Sequence, residues 1–446
     1  MAKIEQVIKR SGAIVPFNPD RITNAIYRAA VAVGGRDRAT AEKLSNQVVE
    51  LLEANSADGH TPTIEEIQDT VEKVLIENGH ARVAKAYILY RDERSRARQE
   101  RAEKASAPSE NIPWAKIWHI LDWAVDHGVN TIAGVNARIA NGEFADIVAE
   151  SETAYEEDVE NAAELIKQRR DELRMVIITG PSSSGKTTTT IKVEQRLQRV
   201  GLKFLTLNID NYFYNLDMHP KDEFGDYDFE TPQALDLQLI NEHLKRLFAG
   251  EEVLIPFYDF KTGQRHDEQT PMKIQANEIL LIDSLHGLYP AMTAGIPLEM
   301  QFRLYLEPLL QMKPSGGRYV RWTDLRLMRR MLRDASHRAY DPRKTLTHWH
   351  YVRSSEMRNI VPYINATDYI INSAMPYELS LYKARLFDEF SQWIQDYKDD
   401  PLREDAYTRA ARVHEVLTEI TAVQDDSPIP SDSVLREFIG GSTLKY

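Results

Sequence analysis

Residues 175–188 read Met-Val-Ile-Ile-Thr-Gly-Pro-Ser-Ser-Ser-Gly-Lys-Thr-Thr, and this stretch decides the fold of everything downstream. Met175–Thr179 is a short apolar run with the composition of a buried strand. Gly180–Thr187 fits G-x-x-x-x-G-K-[ST], and helical periodicity follows over 186–200, so the loop has the strand before and the helix after that its chemistry needs. Glycines let the main chain wrap closely around a phosphate, and the amides at the helix start point at the anion. Lys186 reaches further along a polyphosphate, and the Thr187 hydroxyl can bind Mg²⁺. The phosphate-cradling set is therefore Gly180, Ser182, Ser183, Ser184, Gly185, Lys186, Thr187 and Thr188. A chance Gly/Ser turn ahead of a helix is the plain alternative, and the agreement of pattern with context argues against it.

Working outward, apolar strands alternate with helices: Met175–Thr179, helix 186–200, Lys203–Ile209, helix 234–248, Glu278–Ile282. That order predicts an α/β domain with a parallel sheet flanked by helices. Lys203–Ile209 runs into Asp210, a carboxylate at the carboxyl edge of a strand, where parallel sheets bind ligands. Such a group can take a proton from an attacking hydroxyl or help hold Mg²⁺, and it can equally be an ordinary helix cap. Ile279–Asp283 is an apolar run ending in a carboxylate, which places Asp283 near a metal. Arg326, Arg330 and Arg333 share one face of a predicted helix at 323–339. Guanidinium groups so arranged suit a transferring phosphate, and a solvated basic face is the alternative. Further helices are predicted over 354–361 and 376–398, with a strand at Tyr369–Asn372. The acidic, Pro-rich stretch 425–433 reads as a tail, except that Leu435, Phe438 and Ile439 beyond it are apolar.

Upstream, Ile4–Phe17 alternates around a turn at Ser11-Gly12, and helical patterns cover 20–34, 40–55, 63–78 and 81–100, with Pro19 and Pro62 near helix starts. This is a small α+β module. A linker of charged and small residues leads to Pro108 and Pro113. Residues 114–170 then read as wholly helical, with Trp114, Trp118, Leu121 and Trp123 on an apolar face. The expected division is 1–104, a helical connector 105–173, a phosphate-loop domain 174–424 and a tail 425–446.

With no cysteine in 446 residues, disulfides, thiolate metal sites and cysteine nucleophiles are excluded. The formal net charge of −13 argues against a role on nucleic-acid backbones. No apolar run is long enough to span a membrane, and the N-terminus lacks the apolar stretch of a secretory signal, so a cytoplasmic location is expected.

The motifs GPSSSGKTT, DNYFY, DYDFETPQALD, IPFYDFKTG and RRMLRD resemble, in order and spacing, the uridine kinase and phosphoribulokinase family of P-loop kinases over roughly 174–400, and the closing LREFIGGS looks like the tail of nucleoside kinase-like members. The resemblance implies ATP as donor and Mg²⁺ held by Thr187 and Asp283, although the family usually has Glu at the latter position. It makes Asp210 the general base, with Lys186, Arg330 and Arg333 completing the catalytic set. It gives Glu230, Tyr258 and Arg338 to the nucleoside. Two departures bear on the acceptor: a family His that reads the pyrimidine base aligns with Gly263, and a family Arg aligns with Tyr340. The N-terminal unit is similar to the ATP-cone, a regulatory nucleotide-binding module. Lys9 and Arg10 match its paired triphosphate-binding residues, with Arg21 and Lys85 adding charge; a basic hairpin without ligand is the alternative.

The sequence thus leads to an ATP-dependent kinase of a nucleoside hydroxyl, regulated by a second nucleotide, ATP or dATP, at the cone, and a homo-oligomer by analogy with other cones. A kinase of a phosphorylated sugar or small acid is the second reading. A non-catalytic nucleotide sensor with a protein partner is the third, disfavoured because a sensor needs no acceptor-side base. His348 and His350 stand two apart on a predicted helix, point away from each other and are read as packing residues.

Overall fold

The computed structural model describes residues 4–8, 14–55, 61–91, 111–220, 227, 229–275, 277–338 and 341–445. They fall into two compact units, 1–109 and 110–446.

In the first unit β1 (Gln6–Ile8) pairs antiparallel with β2 (Ile14–Pro16), Val7 standing opposite Val15. The turn expected at Ser11-Gly12, and with it Lys9 and Arg10, lies outside the described residues. Helices α1 (Asp20–Ala32), α2 (Arg38–Asn55), α3 (Ile64–Glu77) and α4 (residues 81–91) follow. The start of α3 is fixed by a reciprocal cap: the Thr63 hydroxyl accepts from the Glu66 amide, and the Glu66 carboxylate accepts from the Thr63 amide. Apolar positions at helical spacing, among them Ile22, Ile26, Val48, Val71 and Leu75, close a core of their own. Arg91 ties α4 to α3 through Asp69 at 2.7 Å and Glu72 at 2.6 Å.

The second unit opens with α5 (Trp114–Asp126), α6 (Ile132–Ala140) and α7 (Phe144–Gln168). Next come β3 (Met175–Thr179), α8 (Lys186–Arg199), β4 (Lys203–Asn208), α9 (Leu237–Phe248), β5 (Val253–Asp259), β6 (Gln264–Met272), β7 (Glu278–Ser284) and β8 (Gln301–Glu307). It continues through α10 (Trp322–Arg338), α11 (Pro342–Asn359), β9 (Tyr369–Asn372), α12 (Glu378–Tyr397), α13 (Glu404–Glu419) and the single turn α14 (Arg436–Ile439). The sheet order is β4-β7-β3-β8-β9, and every neighbouring pair is parallel. The fold expected from the sequence is thus the fold observed. β5 and β6 form a separate antiparallel hairpin.

β3 is buried along its whole length, and successive side chains go to opposite faces. Val176 and Ile178 join a core with Ile166 of α7 and Val193 and Leu197 of α8. Met175 and Ile177 join another with Ile240, Leu244 and Leu247 of α9. All strands point the same way, so the loops after β3, β4 and β7 gather at one edge.

Four expectations need correcting. The segment read as a connector is part of the sheet's own core, since Val135, Ile147, Val148, Tyr155 and Val159 are packed with Val176 and Ile178. Two of its tryptophans are turned outward, Trp114 being 59% and Trp118 64% exposed, while Ala124 is buried in the core and Trp123 packs against it. The segment read as a tail is likewise interior, with Ile429, Val434, Leu435 and Phe438 buried in the same core. The helix expected at 354–361 is the end of the longer α11, in which Trp349 is the packing residue and His348 is exposed. Among the described residues no helix is long and apolar enough to cross a membrane.

Because Phe438 is wholly buried, Phe438→Ala should lower stability by about 3–5 kcal/mol. Urea unfolding followed by circular dichroism should show a lower midpoint at unchanged slope. A truly loose tail would give a change within about 0.5 kcal/mol.

Candidate active site

The loop between β3 and α8 takes its shape from residues that tolerate it. Gly185 has φ 93°, and a Cβ there would sit 2.5 Å from Cγ2 of Val434. A Cβ on Gly180 would meet the Leu306 carbonyl oxygen at 2.2 Å, closer than any real contact. The Oγ atoms of Ser183 and Ser184 are buried without a protein hydrogen-bond partner. Orphaned hydroxyls lining a loop at a helix N-terminus are what a polyphosphate would satisfy, so the residues present fit ATP.

Lys186 is folded back on the loop, its Nζ donating to the carbonyls of Gly180 at 2.9 Å and Pro181 at 3.2 Å. Burial lowers its pKa, and the charges of Arg333 and Arg326 add to that, while Asp283 and Glu437 oppose it. Asp283, at the end of β7, stands beside Ile178 of β3 and Asn208 of β4 in the sheet register. Burial pushes its carboxyl up to about 6; Lys186 pulls it down, while Glu437 and Asp210 push it further up. Asp210, in the short turn of helix just beyond β4, is exposed, and its amide donates to the Asn208 side chain at 2.9 Å. Thr187 is exposed at the mouth of the loop. Two carboxylates and a hydroxyl beside a phosphate loop are the oxygen donors a hard cation takes, and the same carboxylates repel each other until one is present, so the set fits Mg²⁺.

The arginines of α10 divide into two kinds. Arg326 and Arg329 have no exposed side-chain surface. Arg326 pairs with Glu356 at 2.5 Å and donates to the Ser182 carbonyl at 3.1 Å, so it braces the loop from behind rather than facing a ligand. Arg329 pairs with Glu378 at 2.8 Å and donates to Ser373, whose hydroxyl in turn donates to the Ser184 carbonyl. Arg330 reaches across to Glu230 at 2.9 Å and to the Ser182 hydroxyl at 3.3 Å, linking loop and acceptor side. Arg333 lies against Asp334 at 3.2 Å, near enough to Lys186 to depress its pKa.

On the acceptor side, Tyr258 of β5 sits among Phe213, His219 and Phe260, and its buried hydroxyl has no protein partner. Gly263, where a histidine was the family expectation, has φ 68°, and a Cβ on it would lie 2.8 Å from Cβ of Leu216. A side chain there is excluded by this backbone. The side chain of Arg338, and Tyr340 altogether, lie outside the described residues; Arg21 and Lys85 are exposed on the first unit.

Two residues escaped the sequence reading. Glu437 of α14 accepts from the Thr188 amide at 3.2 Å and hydroxyl at 2.9 Å, placing a third carboxylate at the head of α8. His286, in the loop after β7, is buried, with the main chain of Glu230 and the charge of Lys186 acting on its ring. No local pattern announces either one: the first acts across 249 positions, the second through burial alone.

Comparison with known proteins agrees with this layout. Residues 5–96 match the ATP cone domain, and residues 175–380 match the Phosphoribulokinase / Uridine kinase family. The chain is therefore similar to an ATP cone over its first unit and to that kinase family over part of its second. The first unit is 42% identical over 103 residues to the vitamin B12-dependent ribonucleoside-diphosphate reductase of Thermoplasma acidophilum, a match covering 22% of this chain and 13% of the reductase. The second is 28% identical over 161 residues to the uridine kinase of Bacillus pumilus, covering 36% of this chain and 67% of that enzyme. A solved structure of a possible uridine kinase from Bacillus stearothermophilus aligns over 48% of this chain and 98% of its own, with 15% identity and a TM-score of 0.31.

The raised pKa of Asp283 has a sign. Unfolded, the carboxyl titrates near 3.8; folded, near 6, so between those values the folded state holds the extra proton and stability falls as pH rises. Asp283→Asn should therefore stabilise the ligand-free protein above pH 6 by roughly 1–3 kcal/mol and leave it unchanged near pH 4. Thermal denaturation across pH 4–8 measures this, and equal pH dependence in both proteins would show that Asp283 titrates normally.

Proposed function

We propose that this chain transfers the γ-phosphoryl group of ATP to a hydroxyl of a nucleoside-like acceptor, under regulation by a second nucleotide on the first unit. The observation that carries this reading is the meeting of Lys186, at the start of the helix after β3, with Asp283 at the end of β7 and Asp210 just beyond β4, an edge that Arg330 links to Glu230. Gly180–Thr188 would cradle the phosphates, and Thr187 and Asp283 would hold Mg²⁺. The cation, when bound, neutralises charge on the β- and γ-phosphates. Asp210, exposed at the edge, takes the proton of the attacking hydroxyl, and Arg330 and Arg333 offset charge on the moving phosphoryl group. Glu230, held by Arg330, offers a carboxylate to sugar hydroxyls.

A phosphorylated acceptor draws less support, because two acceptor-side cations among the described side chains are already paired: Arg330 with Glu230, and Arg265, opposite Tyr258 in the hairpin, with Asp236 at 3.0 Å. The space of Gly263 is closed by Leu216, so the base-reading imidazole is replaced by an apolar wall. Uridine and adenosine should therefore differ in kcat/KM by less than about tenfold, since a site without a hydrogen-bonding reader cannot discriminate strongly.

Lys186→Ala should abolish turnover, and Asp210→Asn should lower kcat about 10²–10⁴-fold while nucleotide binding persists. Retention of near wild-type kcat by Asp210→Asn, in a coupled assay over nucleosides, deoxynucleosides and sugar phosphates, removes the base assignment. Equilibrium dialysis should count two nucleotides per chain in the wild type. One should remain after Lys9→Ala with Arg10→Ala, and one after Lys186→Ala. Nucleotide at the cone should alter oligomer size and shift acceptor affinity by a factor of roughly 5–150. A single nucleotide, lost entirely with Lys186, would make the cone a structural relic.

A further inference from the structure

Helix α8 begins without an ordinary cap. Gly185 precedes it and has no side chain to offer. The Thr189 amide bonds to the Gly185 carbonyl at 3.1 Å, which leaves the Thr188 amide among the donors that the helix itself does not pair. That donor is met from the far end of the chain. A single oxygen of Glu437, Oε2, accepts both the Thr188 amide at 3.2 Å and the Thr188 hydroxyl at 2.9 Å. Glu437 is 6% exposed, so the positive end of α8 holds its charge, and that charge reaches Lys186 and Asp283.

The segment that delivers the carboxylate is fixed on both sides of it. The Ser433 hydroxyl donates to Glu152 at 2.5 Å, and Arg436 pairs with Asp426 at 3.2 Å and donates to the Ile429 carbonyl at 3.0 Å. Val434 is pressed on Gly185, and buried Phe438 lies with its ring centre 5.0 Å from the Arg329 guanidinium. Between these anchors the Glu437 side chain is the part that rotation can withdraw without unpacking the core. Thr188 is the last residue of the set read as cradling phosphate. One anionic oxygen that takes an amide and a hydroxyl at a helix head has the bonding pattern of a phosphate oxygen there. Two such anions cannot share the place, because a polyphosphate brings like charge to donors already engaged.

We propose that Glu437 is an internal competitor of the nucleotide: its carboxylate takes a phosphate's place at the head of α8, a bound nucleotide displaces it, and this one side chain thereby sets the nucleotide affinity of the loop. This rests on the reading of Gly180–Thr188 as the nucleotide-binding loop.

The test uses the full chain carrying Lys9→Ala and Arg10→Ala, so that the loop is the nucleotide site measured, with ATP as the probe in equilibrium dialysis. Glu437→Gln removes the charge and keeps an accepting oxygen for Thr188. It should lower the Kd for ATP about tenfold. A purely structural cap gives the opposite sign, since a loosened helix head binds nucleotide less well. Without nucleotide the variant should melt below its parent, and saturating ATP should bring the two midpoints together. Glu437→Asp, which draws the carboxylate back by one methylene, should lower the Kd by less, and it is the variant compared with the parent if Glu437→Gln loses its thermal transition. A Kd that rises or stays unchanged in the folded variant overturns the proposal. ATP binding that is absent from the parent, or that survives Lys186→Ala unchanged, overturns the nucleotide reading of the loop and the proposal with it.

Discussion

Two guanidinium groups with no access to water, Arg326 and Arg329, hold the second unit's working edge together. An unpaired buried charge would be untenable, so each is met by a carboxylate from another helix, Glu356 of α11 and Glu378 of α12. Further donors of theirs reach the Ser182 carbonyl of the phosphate loop and the Ser373 hydroxyl after β9. Removing either carboxylate would strand a cation in the interior, so α10, α11, α12 and the loop can only be placed together. A loop rich in glycine and serine, flexible by composition, is thereby fixed from behind while its front stays open to a ligand.

The front is organised by the opposite imbalance. Asp210, Asp283 and Glu437 all bear on Lys186 or on one another, and one ammonium does not neutralise three carboxylates. Among the described residues no cluster of three or more acidic or histidine side chains is set to hold a metal alone. A hard cation at this edge would therefore complete its oxygen shell from phosphate and water, the usual arrangement for Mg²⁺ at a nucleotide. Cation and nucleotide would then be bound as one ligand.

What the sequence revealed tracks how local the cause was. β3, its loop and α8 were legible because their pattern is contiguous, and the β4 and β7 carboxylates because strand ends in a parallel sheet share one edge. Strand β8 was not recognised, although Phe302, Leu304 and Leu306 alternate inward, because Arg303 and Glu307 interrupt an otherwise apolar run. The β5–β6 hairpin hid behind the charged, largely exposed β6. The basic stripe on α10 was rightly placed on one helix, but only the structure separates Arg326, turned inward to Glu356, from Arg330, which spans to Glu230. The acidic segment after residue 425 had the composition of a loose end, and its burial depends on a core that includes residues more than 200 positions away, which no local window contains.

The bond between Glu437 and the head of α8 also orders events in time. Strand, loop and helix around Lys186 leave the ribosome first, and the carboxylate that caps Thr188 follows 249 residues later. At about 5–20 residues per second that interval is roughly 12–50 s. Throughout it, the nascent chain presents a helix N-terminus with an uncompensated positive end and no native carboxylate against it. The support that Glu437 gives to the head of α8 is therefore among the last native contacts to become available, when nearly the whole chain has been made.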